Sequence, residues 1–233
     1  MNFVKSLKKL RDREAAEKSK RFFKTSEGEY GYGDLFLGIS MPVLRNFSKN
    51  ATYASLAELE EMVSSKYHEI RMAGFLILLY KFQKEKSKQL KSRYFNFYCQ
   101  NFKYVNNWDI VDVTCPGIVG AYLLEKDKSP LKRWAKSNHL WTIRISVVST
   151  WWFIRNNETT ETFNIAKILI TDNEDLIHKA VGWMLREAGK KDKAALVNFL
   201  KGNYDVMPRT MLRYAIEKFP EKTRKRYLKG KFK

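Results

Sequence analysis

Cysteine and histidine are scarce in this chain of 233 residues: two cysteines, Cys99 and Cys115, and three scattered histidines, His68, His139 and His178. Two thiols build no disulfide framework, and none of these residues falls at metal-ligand spacing, so no metal site is expected. Five prolines and eleven glycines are too few for a collagen-like, disordered or turn-rich all-β chain. No uninterrupted apolar stretch approaches membrane-spanning length. The first residues, Met-Asn-Phe-Val-Lys-Ser-Leu-Lys-Lys-Leu-Arg, are charged at once and hold no apolar signal-peptide core. The expectation is a soluble, intracellular, cytoplasmic and nucleoid-associated protein with no membrane partner. Also missing are a Walker phosphate loop, a dinucleotide-binding glycine pattern, the paired motifs of zinc deaminases and a nucleophile elbow. Asp109 and Asp112 are the one close carboxylate pair that looks placed for chemistry, which keeps a two-metal nuclease a weak alternative.

Acidic residues are in the minority. Lys and Arg number 44 against 25 Asp and Glu, a formal net charge of +19. Such an excess points to a polyanion, chiefly nucleic acid. The excess is uneven: residues 201–233 carry 11 basic and 3 acidic side chains, while residues 151–200 carry 7 of each. The segment after Glu221 holds Lys222, Arg224, Lys225, Arg226, Lys229, Lys231 and Lys233 with no acid. It reads equally as a solvated, frayed end or as a phosphate-binding tail.

Helical periodicity dominates and strand-like alternation is nearly absent. Apolar residues recur at helix spacing in Leu56, Leu59 and Val63, in Ile70, Ala73, Ile77 and Tyr80, in Ile165, Ile168 and Leu169, and in Leu176, Ala180, Met184 and Leu185. Helix-start chemistry stands at Ser87, at Ser129-Pro130, at Asn138 and at Thr171-Asp172; Gly202-Asn203 reads as a stop and Pro208 as a start. About a dozen helices joined by short loops follow. The fold class expected is all-α, an α-solenoid of stacked antiparallel helix pairs of HEAT-like type, with a compact bundle as the alternative. It spans 1–233 as one domain, with 222–233 as a basic tail. Thr25–Asp34, with three glycines and two tyrosines, is the least helical stretch and reads as a loop.

Trp108 and Asp112 stand four apart in Asn-Asn-Trp-Asp-Ile-Val-Asp-Val, so one helical face presents both. Ile110, Val111 and Val113 suit a core better. Asp112 also admits a bland reading, as the cap of a new helix after a break at Pro116, and Asp109 can cap too. Trp183 has Lys179, Arg186 and Glu187 for same-face neighbours, not the apolar stripe. A tryptophan there either stacks on a base or sugar or shields a seam between helices. Arg144 lies in an otherwise apolar helix, where its charge needs an acidic partner such as Asp109 or Asp112, a phosphate, or an exposed edge. Arg45, Arg209 and Arg213 join Lys179 and Arg186 as candidates for phosphate contact.

These residues give the chain a resemblance to the AlkD-type DNA alkylation repair family, monofunctional DNA glycosylases of HEAT-like repeats. Three blocks carry it: Asp34–Arg45 (Asp-Leu-Phe-Leu-Gly-Ile-Ser-Met-Pro-Val-Leu-Arg), Asn107–Asp112 followed by Pro116, and Lys179–Glu187. Leu140–Arg144 is a weaker fourth, and the likeness runs from Phe36 to about Ala215. The resemblance implies a concave basic face for duplex DNA with alkylated bases, and an active cleft of Trp108, Asp112 and Trp183. Arg144 and Arg186 would contact the DNA nearby. It further implies excision of cationic alkylpurines such as 7-methylguanine and 3-methyladenine by a monomer that needs no metal and no cofactor. Phe22 departs from the pattern, standing where relatives carry an aromatic hydroxyl, and the glycine-rich stretch to Asp34 looks like a small insertion. Two other expectations stay open: a HEAT-like protein that binds damaged or branched DNA without excision, and a scaffold whose charge serves solubility.

Overall fold

The structure, a computed structural model, describes residues 2–230. Regular secondary structure among the described residues is helical; one isolated bridge pairs Leu35 with Tyr67. The chain divides into two compact units, Met1–Ile118 and Val119–Lys233.

The first unit holds α1 (Phe3–Lys8), α2 (Arg13–Phe22), α3 (Met41–Asn50), α4 (Leu56–Val63), α5 (His68–Lys84), α6 (Lys88–Gln100) and α7 (Trp108–Cys115). Its hub is α5, against which α3, α4, α6 and α7 all pack. The sequence explains why. Ile70, Met72, Ala73, Phe75, Leu76, Ile77, Leu78 and Leu79 cover every face of the helix and are all buried, and a helix apolar all round must be enclosed. Short polar signals start its neighbours. Ser55 and Glu58 form a reciprocal capping box on α4, and the Ser87 hydroxyl accepts the Leu90 amide on α6. Each such cap contributes about 1 kcal/mol. The expected loop at 25–34 is a run of turns.

The second unit holds α8 (Ala121–Leu123), α9 (Ser129–Trp134), α10 (Leu140–Val148), α11 (Thr150–Arg155), α12 (Thr160–Ile168), α13 (Asp175–Lys191), α14 (Lys193–Asn203), α15 (Arg209–Ala215) and α16 (Glu221–Leu228). Here α13 is the hub, packed by α10, α11, α12, α14 and α15. The helix count exceeds the expected dozen because some runs are split. Only Ser149 separates α10 from α11; there the Ser149 and Thr150 hydroxyls donate to the Ile145 and Val147 carbonyls, both at 2.6 Å. Side-chain bonds of that kind bend a helix. The expected stop at Gly202-Asn203 and start at Pro208 are the end of α14 and the cap of α15. The starts at Asn138 and Thr171-Asp172 fall later, with His139 and Glu174 as the capping residues.

The basic C-terminal segment is not frayed through to residue 230. Glu221–Leu228 is helix α16, and Tyr227 is buried at its edge, with its ring 5.9 Å from those of both Tyr204 and Phe219. Lys231 and Lys233 lie outside the described residues.

A close helix approach in the second unit depends on Gly182. A Cβ there would lie 2.5 Å from the Met211 carbonyl oxygen and from Tyr214 Cβ, so α13 and α15 touch backbone to backbone. Gly182→Val should lower stability by about 2 kcal/mol or more, seen as a lower urea midpoint. An unchanged midpoint would mean that α15 can move aside without loss.

Candidate functional site

Helix α7 presents the two residues that the sequence singled out. Asn107 caps it, accepting the Trp108 amide on its side chain at 2.8 Å. Ile110, Val111, Thr114 and Cys115 face inward and are fully buried, while Trp108 and Asp112 are half-buried one turn apart on the other face. Neither Asp109 nor Asp112 is the residue that opens the helix, although the Asp109 carboxylate accepts the first-turn amide of Ile110 at 2.8 Å. Asn107 is the cap, and the helix does not restart at Pro116. It runs on through a π-turn at Pro116–Gly120 into α8. Proline has no N–H to donate to the carbonyl of Asp112 four residues back, and the wider turn absorbs that mismatch.

Trp108 sits in an aromatic cluster built from α2 and the segment after it. Its ring centroid is 5.7 Å from Phe23 and 5.9 Å from Phe22. Phe23 in turn stacks on Phe36 at 5.3 Å and lies 4.9 Å from His68. Phe22 is 64% exposed, at the solvent edge of the cluster. Phe22 has no hydroxyl, but the glycine-rich loop supplies one: Trp108 donates its indole N–H to the Tyr30 oxygen at 3.1 Å.

Beneath this cluster the first turn of α5 buries charges in quantity. His68 Nε2 donates to Asp109 Oδ2 at 2.9 Å, and His68 Nδ1 stands 3.7 Å from Asp34 Oδ2, an ion-pair rather than a hydrogen-bond distance. Arg71 donates to Asp34 at 2.7 Å, to the Ser65 carbonyl at 2.8 Å and to Asn106 Oδ1 at 3.1 Å; Asn106 also donates to Asp34, at 2.9 Å. The Glu69 carboxylate accepts the amides of Leu37, Gly38 and Ile39. The His68 amide donates to the Leu35 carbonyl at 2.8 Å. These contacts bind the loop end 34–39 and the start of α7 to one helical turn. Burial alone would push His68 down, but the Asp109 and Asp34 carboxylates outweigh it and raise it to about 9, so the imidazole is cationic at neutral pH. For Asp34, burial works upward, yet His68, Arg71 and Asn106 together hold its carboxyl below the usual range.

His68, Glu69, Arg71, Asn106 and Tyr30 were not singled out from the sequence. A signal existed for three of them: His-Glu-Ile-Arg opens the apolar run Met72–Leu79, and charges that lead a fully buried helix must find partners.

In the second unit, Lys179, Trp183, Arg186 and Glu187 form a half-buried face of α13, beside the buried Ala180 and Met184. Lys179 pairs with Asp175 at 2.6 Å; Arg186 pairs with Glu187 at 3.0 Å and with Glu217. Arg144 is 5% exposed, which removes the exposed-edge reading, and it donates to the Leu176 carbonyl at 2.5 Å. Arg209 is exposed and donates to the Leu228 carbonyl at 2.6 Å. Arg213, on α15, and Arg45, on α3 of the first unit, are exposed as well. Both cysteines are free; burial pushes the Cys99 thiol up to about 12, so it is a poor nucleophile. Among the described residues, no helix is long and apolar enough to cross a membrane, and no three His, Cys, Asp or Glu side chains converge to hold a metal ion.

Comparison with known proteins yields two findings. A family model described as DNA alkylation repair enzyme matches residues 3–219. Among solved structures, one described as a predicted DNA alkylation repair enzyme from Enterococcus faecalis superposes with a TM-score of 0.68, over 91% of this chain and 97% of that one. At 16% identity, that likeness speaks for the fold. No curated protein matches the chain in sequence.

The buried cluster makes stability depend on pH in a stated direction. His68 is raised from 6.5 to about 9, so its contribution is complete below about pH 6.5 and is lost as pH climbs through 9. Asp34 acts in the opposite sense, contributing above its usual range and failing on acidification. Urea unfolding should therefore show stability falling by a few kcal/mol between about pH 6.5 and 9. A His68→Gln chain should be less stable by about 3–5 kcal/mol and flatter across that window. An unaltered slope in that variant would assign the pH dependence elsewhere.

Proposed function

The chain belongs to the DNA alkylation repair enzyme family, and we propose that it is a monofunctional DNA glycosylase. On this reading it excises cationic N3- and N7-alkylated purines, such as 7-methylguanine and 3-methyladenine, from duplex DNA without a metal. The observation that carries the reading is the pairing of Trp108 with Asp112, one turn apart on the outer face of α7, in a chain of net charge +19. A carboxylate repels phosphates, so its place on a DNA-facing surface calls for a chemical use.

The chemistry asks little of the protein. An alkylated purine already carries positive charge and leaves readily, so no strong general acid is needed. As the N-glycosidic bond breaks, the electron pair departs with the base and the sugar takes on oxocarbenium character. The Asp112 carboxylate stabilises that cation and orients or deprotonates the water that adds to C1′. Trp108 offers a π face to the same developing charge, and Trp183 on α13 is proposed to contact deoxyribose likewise. Such contacts accelerate because they strengthen only as charge develops.

Arg45, Arg209 and Arg213 are the exposed candidates for phosphate contact. Lys179 and Arg186 would add to them, each already sharing its charge with a carboxylate. The buried Arg144 would serve DNA binding by holding α10 against the first turn of α13. A monomer on DNA is the proposed working state.

The test is release of 7-methylguanine from a methylated duplex under chelator. Wild type should release the base, and Asp112→Asn should bind the duplex as tightly but release it about 100- to 1,000-fold more slowly. Full activity in that variant would sink the assignment of Asp112. Salt-sensitive binding with no release by either protein would instead support a binding protein.

A further inference from the structure

We propose that Tyr30 is a positioning residue for Trp108, its hydroxyl fixing the plane of the indole offered to the sugar. This role rests on the glycosylase reading and adds a residue to it. A tryptophan on a helix surface can turn about two side-chain torsions. The packing of Phe22 and Phe23 against Trp108, one ring edge-on and one tilted, confines the indole but leaves its N–H without a partner of its own. The hydrogen bond at the indole N–H is different: it is directional, and since the indole can only donate, the Tyr30 oxygen is the acceptor. At 3.1 Å it selects one orientation of the ring.

The loop that delivers Tyr30 is built to hold it. The Gly31 amide donates to the Lys24 carbonyl at 3.0 Å and the Ser26 amide to the Glu29 carboxylate at 3.0 Å. The Asp34 amide donates to the Gly31 carbonyl at 3.1 Å, and the Asp34 side chain is locked by Arg71 and Asn106. Gly31 is buried, and a Cβ there would lie 2.3 Å from the Phe23 carbonyl oxygen, so the loop closes on the end of α2 only with glycine at that point. Phe23 is also the residue whose ring packs against Trp108. Two positions along the loop, Tyr32 is 67% exposed, while Tyr30 is half-buried against the indole. The loop therefore sets Tyr30 apart from a tyrosine left in solvent.

Two variants separate the hydroxyl from the loop. Tyr30→Phe removes one oxygen; Gly31→Ala pushes the loop off α2 and keeps the hydroxyl. With a 7-methylguanine duplex under single-turnover conditions, Tyr30→Phe should slow base release about five- to tenfold with duplex Kd unchanged. The Trp108 indole N–H resonance should shift and exchange faster with solvent. Gly31→Ala should reproduce both effects at least as strongly. A wild-type rate in Tyr30→Phe, or an unchanged indole resonance, overturns the proposal. So does a defect confined to Gly31→Ala, since the hydroxyl would then be irrelevant. A wild type that releases no base overturns the glycosylase reading itself and this role with it, an outcome distinct from an active wild type matched by Tyr30→Phe.

Discussion

The buried charge on the first turn of α5 is the constraint on which the first unit depends. Asp34, His68, Glu69 and Arg71 are each less than a tenth exposed, and removing one partner of a buried pair costs about 3–5 kcal/mol, because the other is left without water. They therefore have few acceptable arrangements. His68 must hold Asp109, Arg71 must hold Asp34 and Asn106, and Glu69 must hold three backbone amides. The paired charges set the registry of a loop and two helices to within a hydrogen-bond length.

That registry decides how α7 is presented. Ile110 and Val111 enter the core, so by helix geometry Trp108 and Asp112 turn to the other face together, and Asp109 beside them is held by His68. The loop before Asp34 is bound to the same turn, which brings Tyr30 to the indole. Two carboxylates three positions apart thus take unrelated roles, Asp109 in the scaffold and Asp112 on the outer face. Three positions apart, they share a side of the helix, and what divides their roles is the partner: His68 holds the Asp109 carboxylate.

Charge is handled differently on the surface. The chain carries a large positive excess, yet two cations at the expected DNA-contact positions are held by local partners: Lys179 by Asp175, and Arg186 by Glu187 and Glu217. The Lys179–Asp175 pair is open to solvent and such pairs contribute little to stability, with a median of roughly 0–1 kcal/mol, whereas Arg186 and Glu187 are half-buried.

The sequence by itself determined the all-helical class, the face shared by Trp108 and Asp112, the polar face of Trp183 and the loop at 25–34. Each of these depends on neighbours within a few residues, where helix period and turn chemistry act. It also carried the three blocks that resemble the alkylation repair family, which the family match then bore out. Tertiary structure alone decided what Asp109, His68 and Arg144 do, that Tyr30 reaches Trp108, and that the basic C-terminal segment docks as a helix through Tyr227. The physical reason is separation along the chain. His68 and Asp109 are 41 residues apart and Tyr30 and Trp108 are 78 apart, and no local periodicity records which distant group will neutralise a buried charge.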